Sequence, residues 1–147
     1  MRVALEEGRK ALPACLPNPP VGCVLVRGGA IVAVGHTQRP GEAHAEAMAL
    51  SCIDGDLSDI TAYVTLEPCS FHGRTPSCAS AFIAKGLKHV VMAVLDPDPR
   101  NSGRGIEMLE QAGVRVELGT LETEATMELS RYLALPANLA LQRSGSP

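Results

Sequence analysis

The feature that most constrains this chain is a set of chemically matched side chains drawn from two distant stretches. The first stretch is His44-Ala45-Glu46; the second, residues 68–78, reads Pro-Cys-Ser-Phe-His-Gly-Arg-Thr-Pro-Ser-Cys, with Cys69 near its start and Cys78 closing it. Zinc in a catalytic site takes three protein ligands and keeps the fourth position for water. His44, Cys69 and Cys78 supply such a ligand set, and Glu46 is left free to move protons. Any fold this chain adopts must bring these two stretches together. Each residue also has a plainer role: His44 as a capping or surface histidine, Cys69 and Cys78 as small core residues. The combination, with Pro68 in front of Cys69, favours a hydrolytic zinc site. Cys15, Cys23 and Cys52 are expected to be core residues.

The chain that carries this set has 147 residues, enough for one domain with a full core. Hydrophobic residues make up 46% and the net charge is -3, so the chain is neither disordered nor a basic nucleic-acid binder. The longest apolar run, residues 90–95, is too short to span a bilayer. Glu6 and Glu7 argue against an export signal. With an odd number of cysteines and no such signal, a reduced cytoplasmic setting is expected.

Residues 1–12 place Met1, Leu5, Gly8 and Leu12 on one helical face, with Pro13 as the stop. Pro17-Asn18-Pro19-Pro20 makes a stiff extended loop. Residues 21–26 read as a buried strand, Gly28-Gly29 as a tight turn, and residues 31–34 as the returning strand. A helix over 44–51 and a strand over 61–66 follow. Next come a helix over 78–85, capped by Ser77 and closed by Gly86, and a strand over 89–95. A loop over 96–104 leads to a helix ending near Ala112, a strand over 114–118, and a last helix. Thr120 is expected to cap that helix, with Leu121, Ala125, Leu129 and Tyr132 inward. The order predicts an α/β fold, a three-layer α/β/α sandwich around a five-stranded mixed sheet. One domain is expected over residues 1–134, with a fraying tail over residues 135–147.

His44 and Cys78 are each expected in the first turn of a helix. A helix N-terminus favours negative charge by roughly 0.3–1 kcal/mol when exposed, which lowers a cysteine pKa toward the metal-binding thiolate. Cys69 follows a strand end, where open α/β sheets place their ligands. Zinc there would activate a water. Glu46 would take its proton and hand it to a departing amine, a role that typically contributes about 10²–10⁴-fold.

An H-x-E followed by P-C-x-x-C is the signature of zinc-dependent nucleobase deaminases, but eight residues rather than two separate the cysteines here. With that spacing the sequence resembles the pyrimidine deaminases of riboflavin biosynthesis, in the cytidine deaminase-like superfamily. The resemblance rests on Pro17-Asn18-Pro19-Pro20-Val21-Gly22-Cys23-Val24, on Gly35-His36-Thr37-Gln38 through Glu42-Ala43-His44-Ala45-Glu46, and on Thr65-Leu66-Glu67-Pro68-Cys69-Ser70. It continues through Gly73-Arg74-Thr75-Pro76 to Cys78, then to Asp96-Pro97 and Gly103-Arg104-Gly105. It implies a zinc cofactor, a small-molecule substrate and hydrolytic removal of an exocyclic amine. The implied substrate is the diaminohydroxyphosphoribosylaminopyrimidine intermediate. By the same resemblance Asn18 would hydrogen-bond the pyrimidine and Arg74 would face the ribose phosphate; His36, His72 and Arg39 are weaker candidates for substrate contact. Asn18 could instead be a turn residue and Arg74 a solvated loop cation. A homodimer or higher oligomer is expected. The family is often fused to a reductase domain; this chain stops before one, so a separate reductase would act downstream.

Two departures bear on the substrate. Phe71 stands where the family carries a histidine, with His72 one place later, and Asp98 stands where it carries an asparagine. A carboxylate about 4 Å from a phosphate costs roughly 4 kcal/mol at an effective dielectric near 20. Either the substrate is an unphosphorylated or different aminopyrimidine or fused-ring relative, or His72 supplies the imidazole and Asp98 points into solvent. The riboflavin intermediate remains the primary expectation. A nucleic-acid deaminase is disfavoured by the negative net charge, the long cysteine gap and the four Phe and Tyr residues. A catalytically silent zinc domain serving another enzyme is disfavoured by the intact Glu46.

Overall fold

The structure, a computed structural model, describes residues 1–71 and 76–133. Helix α1 (Arg2–Arg9) precedes the hairpin β1 (Gly22–Arg27) and β2 (Ala30–His36), then α2 (Ala45–Ser51) and β3 (Ile60–Leu66). Helix α3 (Cys78–Ala84), β4 (His89–Val94), α4 (Arg104–Gln111), β5 (Arg115–Leu118) and α5 (Glu122–Leu133) complete the chain. Every expected helix and strand is present, in the expected order. The tail over residues 135–147 lies outside the described residues. Among the described residues no helix is long and apolar enough to cross a membrane.

The sheet runs β2-β1-β3-β4-β5. Strand β1 pairs antiparallel with both β2 and β3, whereas β3, β4 and β5 are mutually parallel. Two apolar faces explain the three layers. Cys23, Leu25, Val64 and Met92 pack under Ala45, Ala49, Ala79, Phe82 and Leu109 of α2, α3 and α4. On the other face Leu5 of α1 and Ala125 of α5 meet Ala93. Because successive strand residues point to opposite faces, the mixed pattern of β4 serves both layers.

Close backbone approach sets the spacing of two of these helices. A Cβ on Gly22 would stand 1.8 Å from the Ala4 carbonyl oxygen of α1, and one on Gly35 would stand 2.2 Å from the Ala45 carbonyl oxygen of α2. Glycine is therefore required where these helices cross the hairpin.

Three local expectations change. Helix α1 ends at Arg9 rather than residue 12, because the Pro13 ring clashes with the carbonyl four residues back. The last helix starts at Glu122, so Thr120 does not sit at its cap; Leu121 precedes it in a left-handed conformation, φ 54°. Ala125 and Leu129 are buried as expected, with Leu121 and Tyr132 half-buried. Cys15 and Cys23 are core residues, but Cys52 is exposed, since it falls at the C-cap of α2 after the buried face has ended.

Gly35→Ala should lower the unfolding free energy in urea by about 1–3 kcal/mol, because α2 must lift off the hairpin to admit the methyl group. An unchanged urea midpoint would show that the contact is soft.

Candidate functional site

The described chemistry-bearing segments meet at one end of the central strands. Strands β3 and β4 present their carboxyl ends there; β1, antiparallel to β3, presents its start and the loop before it. Residues 18–21, Thr37, the start of α2, the turn after β3 and the loop after β4 therefore surround a single cavity. It encloses about 520 Å³ with its open mouth and is lined by Asn18, Thr37, His44, Glu46 and Cys69, among others.

His44 is the N-cap of α2, with φ -71° and ψ 167°, rather than a residue of its first turn. Glu46 follows within the first turn, and its side chain is carried inward to 4% exposure. Cys78 opens α3, whose preceding residue Ser77 caps it as expected by accepting the Ser80 N–H at 3.1 Å. Cys69 is pinned to the same helix start: its carbonyl accepts the Ala79 N–H at 3.1 Å and its sulfur accepts the Cys78 N–H at 3.2 Å.

The His44 Nδ1 lies 3.7 Å from the Cys69 sulfur and 3.5 Å from the Cys78 sulfur, and the three ligand atoms all lie within 4.8 Å of one another. Zinc–sulfur bonds near 2.3 Å and zinc–nitrogen bonds near 2.0–2.1 Å set tetrahedral nitrogen and sulfur ligands about 3.6 Å apart. The donor types and the two nitrogen–sulfur distances fit a zinc site.

The two thiols are hydrogen-bonded to each other, which favours loss of one proton from the pair. The Cys69 pKa falls to about 5, first through hydrogen bonding with Cys78 and then through His44, against the opposing effect of burial. The Cys78 thiol is pushed well above the usual range, first by that same hydrogen bond with Cys69 and then by burial. Burial pushes the Glu46 carboxyl up to about 7, opposed by the nearby His44. A carboxyl near neutrality suits a group that accepts a proton and returns it.

Thr37, Glu67 and Asp98 organise the cavity rim. Thr37 donates its hydroxyl to the Pro19 carbonyl at 2.9 Å and accepts the Val21 N–H at 3.0 Å, which holds the Asn18 loop in place. Buried Glu67 accepts the N–H groups of Asp96, Gly103 and Ile106 at 3.2, 3.0 and 3.2 Å, fixing the loop after β4 and the start of α4. A local signal existed for part of this rim: in Asp98-Pro99-Arg100 the Asp98 carboxylate accepts the Arg100 N–H at 3.0 Å, an Asx-type turn. Nothing local marks Glu67, whose partners lie 29, 36 and 39 residues further along.

Of the remaining expected contacts, Asn18 is buried and lines the cavity. His36 does not line it. Gly35 faces α2, so alternation turns His36 to the opposite face, where its Nδ1 stands 3.5 Å from Glu7 of α1. Arg39 is exposed and also outside the lining. His72 and Arg74 lie outside the described residues. Phe71 and Asp98 both line the cavity, so Asp98 does not point into solvent; Arg100 draws its carboxylate into an ion pair instead.

Comparison with known proteins accords with this geometry. The family model for the cytidine and deoxycytidylate deaminase zinc-binding region matches residues 1–94. The chain is 52% identical over 125 residues to the riboflavin biosynthesis protein RibD of Escherichia coli (strain K12), covering 85% of this chain and 34% of that one. It is 46% identical over 125 residues to RibD of Aquifex aeolicus, covering 85% and 35%. A solved Thermotoga maritima structure described as a diaminohydroxyphosphoribosylaminopyrimidine deaminase and 5-amino-6-(5-phosphoribosylamino)uracil reductase superposes with a TM-score of 0.85 at 38% identity, covering 97% of this chain and 40% of that one. The chain thus spans about a third of the length of the curated relatives it matches. With its His-Cys-Cys cluster beside a buried glutamate and the family model matched from residue 1 to residue 94, the chain belongs to the cytidine and deoxycytidylate deaminase zinc-binding family.

Proposed function

We propose that this chain hydrolytically deaminates diaminohydroxyphosphoribosylaminopyrimidine, the substrate in the printed name of the Thermotoga relative, with zinc held by His44, Cys69 and Cys78. The observation that carries the reading is the convergence of those three ligand atoms on one cavity that buried Glu46 also lines. A bound zinc supplies Lewis acidity and lowers the pKa of water. The chain's own residues do the rest. Glu46 accepts the proton of the attacking water and delivers it to the amine, so that the ring carbon gains oxygen as ammonia leaves. Thr37 holds the residues 18–21 loop closed, and Asn18 orients the pyrimidine edge from it. The apolar walls Val21 and Leu66 exclude bulk water.

The broader setting follows from the same reading. Cys15, Cys23 and Cys52, free thiols outside the proposed zinc site, support a reducing, cytoplasmic location. Exposed Ile31 and Val32 on the free edge strand β2 support a homodimer or higher oligomer. The deaminated pyrimidine would pass to a reductase, the second activity in the Thermotoga protein's name.

Metal analysis tests the ligand set. The wild type should hold one zinc per chain and Cys78→Ala little, with a lower melting temperature, because the ligand bonds join three separate segments. Full zinc in Cys78→Ala would mean that the ligands are misassigned.

Steady-state kinetics tests the proton shuttle. Glu46→Gln should keep zinc and fold, lose about 10²–10⁴-fold in kcat, and change KM far less. Ammonia release at the wild-type rate from this variant would remove Glu46 from the mechanism.

A further inference from the structure

Resting on that reaction, we propose that Asn101 is a positioning residue for the substrate: its side-chain amide ties the Asp96 carboxylate of the cavity wall to the turn that carries Cys69. Asn101 does not itself line the cavity. It sits in the loop between β4 and α4 at 0% exposure. A buried amide costs stability unless its polar atoms are matched, so the partners of this one define what it does.

The Asn101 Nδ2 group donates to the Pro68 carbonyl at 3.2 Å and to Asp96 Oδ2 at 3.3 Å. Both partners are acceptors, which assigns the nitrogen to this side of the amide and uses both of its hydrogens. Pro68 directly precedes the ligand Cys69, and its carbonyl is a fixed reference point: a Cβ on Gly105 would stand 2.2 Å from it. Asp96 lines the cavity and is 5% exposed. Its other oxygen, Oδ1, accepts the Asp98 N–H at 3.0 Å. The carboxylate is thus held at both oxygens, and Asn101 supplies the donor that refers it to the turn of Cys69.

The course of the loop rests on other bonds. Glu67 accepts the N–H groups of Asp96 and Gly103 near the two ends of the loop, and the Asp98 carbonyl accepts those of Asn101 and Ser102 at 2.9 and 2.8 Å. The amide also carries a cost, since Asn101 Oδ1 is buried with no hydrogen-bond partner. An apolar side chain of similar size would remove that orphan and leave the main-chain bonds in place. What it would take away is the link between Asp96 and the turn of Cys69. A misplacement near 1 Å costs as much as about 10²-fold in rate, so a wall carboxylate released from that link loses turnover while the fold persists. The role acts through Asp96, which makes Asn101 a positioning residue rather than a catalytic one.

The test compares the full, zinc-loaded chain as wild type, Asn101→Leu, Asp96→Ala and the double variant. Measured are kcat/KM on diaminohydroxyphosphoribosylaminopyrimidine, zinc content, melting temperature, and crystal structures of the wild type and Asn101→Leu. Asn101→Leu should keep one zinc per chain and melt within about 3 °C of the wild type, yet lose about 10–100-fold in kcat/KM. Its crystal structure should show the zinc ligands unmoved and the Asp96 carboxylate turned from its wild-type orientation. Adding Asn101→Leu to Asp96→Ala should cost less than about threefold more, because the link then has nothing left to hold. Asn101→Ser, too short to reach both acceptors, stands in should Asn101→Leu fail to fold. Unchanged kcat/KM, losses that add in the double variant, or an unmoved Asp96 carboxylate would each overturn the inference. So would loss of zinc, which would make Asn101 a support of the ligand turn alone. If the wild type releases no ammonia, the proposed reaction fails, while the orientation of Asp96 in the two crystal structures still decides the role of Asn101.

Discussion

The turn that leaves β3 and the loop that leaves β4 are independent pieces of chain, and the carboxylate of Glu67 joins them. It stands two residues before Cys69, is buried, and takes backbone N–H groups from Asp96, Gly103 and Ile106. Hydrogen bonds to a charged acceptor are worth roughly 1.5–3 kcal/mol each, and leaving such a group unpaired in the interior costs more. The bonds to Gly103 and Ile106 also satisfy orphan amides at the start of α4, whose own N-cap is a glycine with no side chain to offer. One side chain thus fixes the height of the metal-side turn relative to the opposite wall. Gly105 completes the fit, for a Cβ there would stand 2.2 Å from the Pro68 carbonyl oxygen.

The same economy of space recurs at the ligand cluster. Cys69 is bound to the first turn of α3 through both its carbonyl and its sulfur, so the two thiols are held together by backbone before any metal contributes. His44 is held by the position of α2, which rests on Gly35 with no room to settle elsewhere. Preorganisation of this kind means that the ligand geometry is a property of the helix–sheet packing. The three donor atoms are thereby brought within 4.8 Å of one another by the protein alone.

How much of this was legible in the sequence follows from the range of the interactions involved. The strands and helices were readable because alternation, helical periodicity, the Ser77 cap and the Gly86 stop are all local signals. The convergence of His44, Cys69 and Cys78 was readable because zinc chemistry accepts few ligand sets, so residue type stood in for distance. His36 stands outside the cavity lining and beside Glu7, because the Gly35 contact with α2 fixes which face of the strand it takes, and motif proximity carries no such information. The solvent-facing alternative for Asp98 failed because the sequence shows the carboxylate but not that Arg100 folds back onto it. Glu67 went unassigned because its partners converge only in three dimensions.

The pairing of the sheet also sets the order in which these parts can come together. The β1–β2 hairpin closes over a two-residue turn, with Arg27 opposite Ala30, and forms from local contacts alone. The next pairing sets Arg27 opposite Ile60 and must close a loop that contains all of α2. Loop-closure entropy makes such non-local pairings slow relative to hairpins. The cavity uses segments from Asn18 to Asp98, so it exists only after β1, β3 and β4 are all in register. A partly folded chain would therefore hold a formed hairpin and no site at all, which makes metal affinity a late reporter of folding rather than a guide to it.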